Sequence, residues 1–290
     1  MARSTRTKAK AGTKALAEEK RVIEANIKLH DFGADNFDNY PPWVMRDVQR
    51  HYDIGSKYAR SLFEHKPLVL DAGCGCGGLA LSLIRADCRV DINDISSAMV
   101  RLTLKKISRA QKKTHSTAKD VNVLLRDLAR KKKKYDVICF AAMLHHIYDY
   151  KETMRLATKV LGPGGVVFIC EEPQLVRKKK SFIARADVYI GGWLINIYKL
   201  FRNPAHAFRF IKNRFFGSKK DDKYIDVDLA EYHASRGIDE LAIRKILFQG
   251  NMPTIQFETH RTGALRLFGL MDYLLRDEPK TFSLFAMKTK

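Results

Sequence analysis

From about residue 47 to residue 172 the chain alternates short apolar runs with stretches whose apolar residues recur every three or four positions. Residues 67–71 form a short apolar run that ends in an acid and a glycine cluster, and they predict a buried strand. Residues 79–84 have helical spacing. Residues 88–92 predict a second strand, followed by Ser96 and Ser97 as caps of a helix running to residue 107. The run at 121–125 reads as a third strand and 136–140 as a fourth. A helix over 151–161 closes at Gly162-Pro163-Gly164-Gly165, and a fifth strand follows over 166–170. Strands separated by helices imply parallel βαβ units with right-handed crossovers. Past residue 173 the pattern changes. Residues 181–201 and 205–216 read as amphipathic helices divided by Asn203-Pro204, then 239–249 as a helix and 254–260 and 281–288 as strands.

At 290 residues the chain has room for one large domain with an insertion. The pattern divides it into a basic N-terminal arm, disordered or helical (1–30), a core (31–175), a basic aromatic insertion (176–236) and a C-terminal completion of the sheet (237–290). No stretch reaches the roughly 18–20 apolar residues of a membrane span. The five cysteines are odd in number and sit mostly in or beside expected strands, which fits buried thiols in a reducing compartment. Cys74-x-Cys76 lacks metal-ligand spacing and has no second pair, so no metal is expected there.

The net charge of +21 is concentrated. Residues 101–134 hold 13 Lys and Arg against two acids, and residues 177–220 hold 12 against Asp187 alone, so each segment carries +11. Such charge favours anionic partners and says nothing about fold. Residues 1–17 lack acids and an apolar signal core; a disordered basic arm is the plainer reading, and a mitochondrial transit segment is the alternative. The expected location is the cytoplasm, free or at a membrane surface.

The candidate chemistry starts at Asp71-Ala-Gly73-Cys-Gly75-Cys-Gly77-Gly78, between an expected strand and helix. Glycines there let the backbone turn tightly and approach a nucleotide-like ligand. Gly73, Gly75 and Gly78 also spell G-x-G-x-x-G, with Asp94 19 residues after Gly75, so a nicotinamide dehydrogenase stays open on these residues alone.

The wider set of motifs resembles class I, Rossmann-like S-adenosylmethionine (SAM)-dependent methyltransferases of the small-molecule branch. The segment from Val69 to Gly77 is similar to that family's first motif. Ile92-Asn-Asp94-Ile-Ser96 resembles its second, and Leu125-Arg-Asp127-Leu the acid–apolar pair after its third strand. The segment 135–140, followed by Met143-Leu-His145-His146, resembles its fourth strand and Leu-x-His turn. The segments 161–169 and 281–288 resemble the turn into its fifth strand and its last strand. The resemblance implies an α/β fold: a mostly parallel seven-stranded sheet with helices on both faces, an antiparallel last strand and a helical insertion after the fifth strand.

It also implies roles. Asp94 would accept from both ribose hydroxyls of SAM, and Gly73 and Gly75 would admit the methionine part. Ile95 and Leu128 would pack on adenine, whose amino group Asp127 would bind. Asp71 would orient the loop towards the ligand's amino group. For Asp94 and Asp127 the plainer alternative is a helix N-cap. A proton acceptor is needed only if the methyl acceptor must lose a proton. His146 matches the Leu-x-His position and is the preferred base, His145 the second choice; a histidine shaping the pocket wall is the alternative. Tyr52 and Tyr58 are candidates to close over the cofactor.

The 177–220 segment leaves the ligand-binding edge of the sheet and mixes its cations with nine aromatics, Trp193 and Phe201 among them. A lid packed on the domain, a helix in an anionic headgroup layer and a nucleic-acid groove all fit that composition. A small-molecule or lipid-like acceptor is favoured, since no Asn/Asp-Pro-Pro-Tyr-type motif follows the fourth strand and no RNA-binding module flanks the core. An RNA or protein methyltransferase recruited through the basic surface, and a SAM-binding protein without catalysis, are the alternatives.

Overall fold

The central apolar runs pair side by side because each is buried on both faces, and less buried strands close the two edges. In the computed structural model, which describes residues 2–34, 42–175, 225–260 and 281–289 with isolated positions between 190 and 204, they form one seven-stranded sheet. The strands are β1 (Leu68–Asp71), β2 (Arg89–Asp94), β3 (Ser116–Ala118), β4 (Tyr135–Ala141), β5 (Leu161–Pro173), β6 (Thr254–His260) and β7 (Thr281–Met287). Their order is β3-β2-β1-β4-β5-β7-β6. The first five run parallel, and β7 lies antiparallel between β5 and β6. This is the expected sheet.

Alternation along each strand divides the core in two. Leu70, Ile138 and Phe140 face one side, where they pack with Leu125 of α5 (Val121–Arg130) and Met154 of α6 (Tyr150–Val160). Val69, Val137 and Phe168 face the other, against Leu79 and Leu83 of α3 (Gly78–Arg85) and Ala59 of α2 (Pro42–Ser61). Burying one such aliphatic or aromatic side chain stabilises by roughly 1.5–3 kcal/mol. The helix α4 (Ser97–Ile107) starts at Ser96, whose hydroxyl accepts from the Met99 N–H at 3.1 Å, as expected.

One expected element is wrong. Residues 121–125 are not the third strand; they open helix α5, and the strand is the short β3 before them. Asp120 caps the helix, accepting from the N–H groups of Asn122 (2.9 Å) and Val123 (3.0 Å). Its buried residues Val121, Leu124, Leu125 and Leu128 recur at helical spacing. The local apolar run reads as a strand, and the cap with the longer period outweighs it.

The N-terminal arm is a 32-residue helix, α1 (Ala2–Gly33). Its inner face buries Val22, Ala25 and Asn26, and it packs against α4 and against α7 (Val227–Ala230). Helix α8 (Glu240–Gln249) then leads to β6 and β7, which complete the sheet. The helices expected at 181–201 and 205–216 lie outside the described residues apart from isolated positions, where Trp193 and Phe201 are exposed. Among the described residues no helix is long and apolar enough to cross a membrane.

Candidate active site

Strand β1 pairs with β2 on one side and β4 on the other, so the direction of the crossovers reverses between β1 and β4. A parallel sheet opens a crevice at the carboxyl ends of such strands. Here the crevice is a cavity of about 460 Å³, within the roughly 300–1,000 Å³ of ligand pockets. Two loops floor it, and the inner half of α1 roofs it through Val22, Asn26 and His30.

The first loop follows β1. Gly75 holds φ +48°, in the left-handed region, and a Cβ there would meet nothing within 4 Å. Its backbone therefore lies open to a ligand. Asp94, at the end of β2, braces the loop: one carboxylate oxygen accepts from the Gly75 N–H and the other from the Ser96 N–H, both at 2.9 Å. Burial raises its pKa despite these bonds. Asn93 ties the neighbouring segments together, donating to the carbonyls of Ala72 (3.2 Å) and Lys119 (3.1 Å). Asp71 lies behind the lining, fully buried, and neither of its oxygens completes a hydrogen bond. Burial, then the charge of Asp94, push its pKa up to about 7.

The second loop follows β4 as the tight turn Leu144–His146. Glu172 of β5, fully buried, organises it. Its carboxylate accepts from the N–H groups of Met143 (2.6 Å), Leu144 (2.7 Å) and His145 (3.3 Å), and from His145 Nδ1 (2.9 Å). Burial lowers the pKa of His145, but the hydrogen bond and charge of Glu172 and the charge of Glu231 outweigh it, and the net shift is upward. His146 shifts downward through burial and the neighbouring His145. Its Nδ1 lies 2.9 Å from the Ala230 carbonyl, so Nδ1 carries the hydrogen and Nε2 the lone pair. Burial, then the charges of His146 and His145, take His30 down to about 3.

Gly73, Gly75, Asp94, Ile95, His145 and His146 all line this one cavity, and Tyr52 joins them. Tyr58 does not; it packs edge-on against Phe285. Asp127 and Leu128 do not line it either. Asp127 sits on α5, where Arg130 and Lys119 pair with it and hold its carboxyl below the usual range, and Leu128 is core. The acid–apolar pair that follows β3 and lines the cavity is Asp120-Val121. Lys119 lines it too. The sequence reading missed Glu172, Glu231, Asn93 and the α1 residues. An acidic pair closing an apolar strand was the available signal for Glu172; for Glu231 and α1 there was no local one.

A glycine loop after β1 and an acid ending β2 are common to Rossmann-like folds; with β7 antiparallel between β5 and β6, the sheet is that of the methyltransferase class of α/β fold. Two solved structures share it. The magnesium protoporphyrin IX methyltransferase of Synechocystis PCC 6803 with bound S-adenosylhomocysteine (SAH) matches with a TM-score of 0.52 at 17% identity, covering 91% of this chain and 100% of that one. The plantazolicin methyltransferase in complex with SAH matches with a TM-score of 0.53 at 16% identity, covering 96% and 99%. A family profile for methyltransferase domains matches residues 46–211, and the chain belongs to that family. Among curated relatives, the ubiquinone biosynthesis O-methyltransferase of Coxiella burnetii (strain RSA 331 / Henzerling II) is 26% identical over 154 residues, 53% of this chain and 63% of its own length. That of Xanthomonas oryzae pv. oryzae (strain PXO99A) is 31% identical over 153 residues, 50% and 60%. The chain thus matches less than two thirds of these relatives' length.

Proposed function

We propose that this chain is a SAM-dependent methyltransferase acting on the hydroxyl of a small-molecule or lipid-like acceptor. The observation that carries the reading is the β1–β2 edge: an open, left-handed Gly75 backbone beside the carboxylate of Asp94, with the unpaired Asp71 carboxylate behind it. Asp94 keeps lone pairs for two ribose hydroxyls, Ile95 offers an apolar surface to adenine, and Asp120 replaces Asp127 as the acceptor for the adenine amino group. SAM supplies a methyl group that is already activated. The protein's own work is to align the acceptor and exclude water, which the α1 roof over the cavity does. His146, neutral with a free Nε2 lone pair, is the base in this reading, and His145 with Glu172 positions it. The relatives named for ubiquinone biosynthesis O-methylation favour an oxygen acceptor.

The exposed Trp193 and Phe201, within the segment of net +11, favour an acceptor or surface of lipid character over nucleic acid. Labelled methyl transfer from SAM into a total extract, fractionated into lipid, small molecules, RNA and protein, tests both parts. Label in RNA or protein would overturn the acceptor class. No label in any fraction, together with no SAH binding by calorimetry, would overturn the activity.

A further inference from the structure

Three side chains from two distant stretches meet in the cavity wall. One ligand-capable atom of each of His145, His146 and Glu231 lies within 4.8 Å of the other two. The histidines come from the turn after β4, and Glu231 directly follows α7. What separates this trio from a chance cluster is the layer behind it. Each imidazole commits its Nδ1 to an acceptor 2.9 Å away, His145 to the buried Glu172 carboxylate and His146 to the Ala230 carbonyl. Both rings thereby keep a hydrogen on Nδ1 and leave Nε2 as the nitrogen that can bind an ion, in His145 once the proton favoured by Glu172 and Glu231 is lost. Metal-binding histidines are held in this way, by a carboxylate or carbonyl on the nitrogen that does not bind the ion. His145 Nε2 stands 3.6 Å from Glu231 Oε2. The two stretches are also stitched together, since the His233 N–H donates to the His145 carbonyl at 2.8 Å.

We propose that His145, His146 and Glu231 form a binding site for one divalent transition-metal ion, with its remaining positions open to the cavity. Two imidazoles and a carboxylate suit zinc, cobalt or ferrous iron rather than magnesium or calcium. Ligand atoms about 2.0–2.1 Å from zinc stand roughly 3.3 Å apart in a tetrahedron, so movements of about 1 Å close a trio that spans 4.8 Å. The cysteine spacing that argued against a metal has no bearing on this site, which draws on none of the five.

The use of the ion rests on the methyltransferase reading. An acceptor hydroxyl in an open position would bind as the oxyanion, releasing its proton to solvent, so in the metal-loaded protein the ion would take over the part given above to His146 as base. Its oxygen would then form the bond to the methyl carbon as the carbon–sulfur bond breaks, with that electron pair staying on sulfur and the sulfonium becoming a thioether. The Met143 side chain packs where a Cβ on Gly73 would stand, 2.7 Å from its sulfur, so the histidine turn already abuts the cofactor loop.

The test uses the full chain stripped by a chelator, titrated with Zn²⁺ by calorimetry and with Co²⁺ by its visible absorption; SAH binding is measured separately. One equivalent of either ion is expected. Binding should weaken at least tenfold in Glu231→Gln, a mild change at the pocket rim, and vanish in the double variant with His146→Ala, while SAH affinity stays within about threefold. No uptake of either ion by the wild type would overturn the site, as would undiminished uptake by the double variant. A protein that binds the ion and not SAH would overturn the proposed function and leave the site standing.

Discussion

Replacing Asp71 by Asn keeps the shape of the side chain and removes its charge. The carboxyl is fully buried without a completed hydrogen bond, and its pKa rises from 3.8 to about 7 through burial first and Asp94 second, against the pull of the Ala80 N–H. A carboxyl with a raised folded pKa contributes stability that is complete below its unfolded value and is lost as pH climbs through the folded one. At about 1.4 kcal/mol per pKa unit the interval from 3.8 to about 7 is worth roughly 4 kcal/mol, and about 2–4 once local relaxation is allowed. His30, whose pKa is lowered to about 3, acts oppositely, since stability grows as pH rises between its folded value and 6.5. Subtracting the variant from the wild type cancels that background. Urea unfolding of both, without ligand, at several pH values between 4 and 8 is the assay. The wild-type stability minus that of Asp71→Asn should fall by about 2–4 kcal/mol across the range, most of it below pH 7. A difference flat to within about 0.5 kcal/mol would refute the reasoning, because it would mean that the carboxylate is solvated or paired.

Asp94→Ala should weaken SAH binding by roughly 2–3 kcal/mol, the value of charge-assisted hydrogen bonds; unchanged affinity by calorimetry would remove Asp94 from the ribose site. Asp127→Ala should leave SAH affinity within about twofold while Asp120→Ala costs at least about fivefold, and the opposite ranking would restore the acid on α5 to the adenine role. His146→Ala should lower kcat by about 10²–10⁴ with SAH affinity kept, and a loss below about fivefold would leave it as a wall residue. If the 177–220 segment meets lipid, the chain should sediment with anionic but not zwitterionic vesicles, and reversing the charge of Arg177, Lys178, Lys179 and Lys180 should abolish this. Equal sedimentation with both would reject it.

The chain's own order of residues determined the sheet and half of the site. Apolar runs buried on both faces announce parallel strands, and a strand followed by Asp71 and spaced glycines places a ligand loop at its carboxyl end whatever surrounds it. Asp94, Ile95 and the His145-His146 turn were legible for the same reason: each sits within a few residues of a strand end, so position in the sequence fixes position in space. The failure at 121–125 was local too. Five apolar-rich residues carry either period, and only the Asp120 cap with Leu128 one turn further on separates helix from strand. What tertiary structure alone decided is contact between stretches far apart in the chain. Glu172 reaches back 27 residues to His145, Ala230 lies 84 residues from His146, and Asn26 of α1 donates to the His146 carbonyl across 120. No periodicity or spacing encodes such meetings. They arise when the sheet closes and α1, α7 and the histidine turn are packed into one volume, and that packing orients the imidazoles, leaves both Asp71 oxygens without a completed hydrogen bond and sets Glu231 beside two imidazoles.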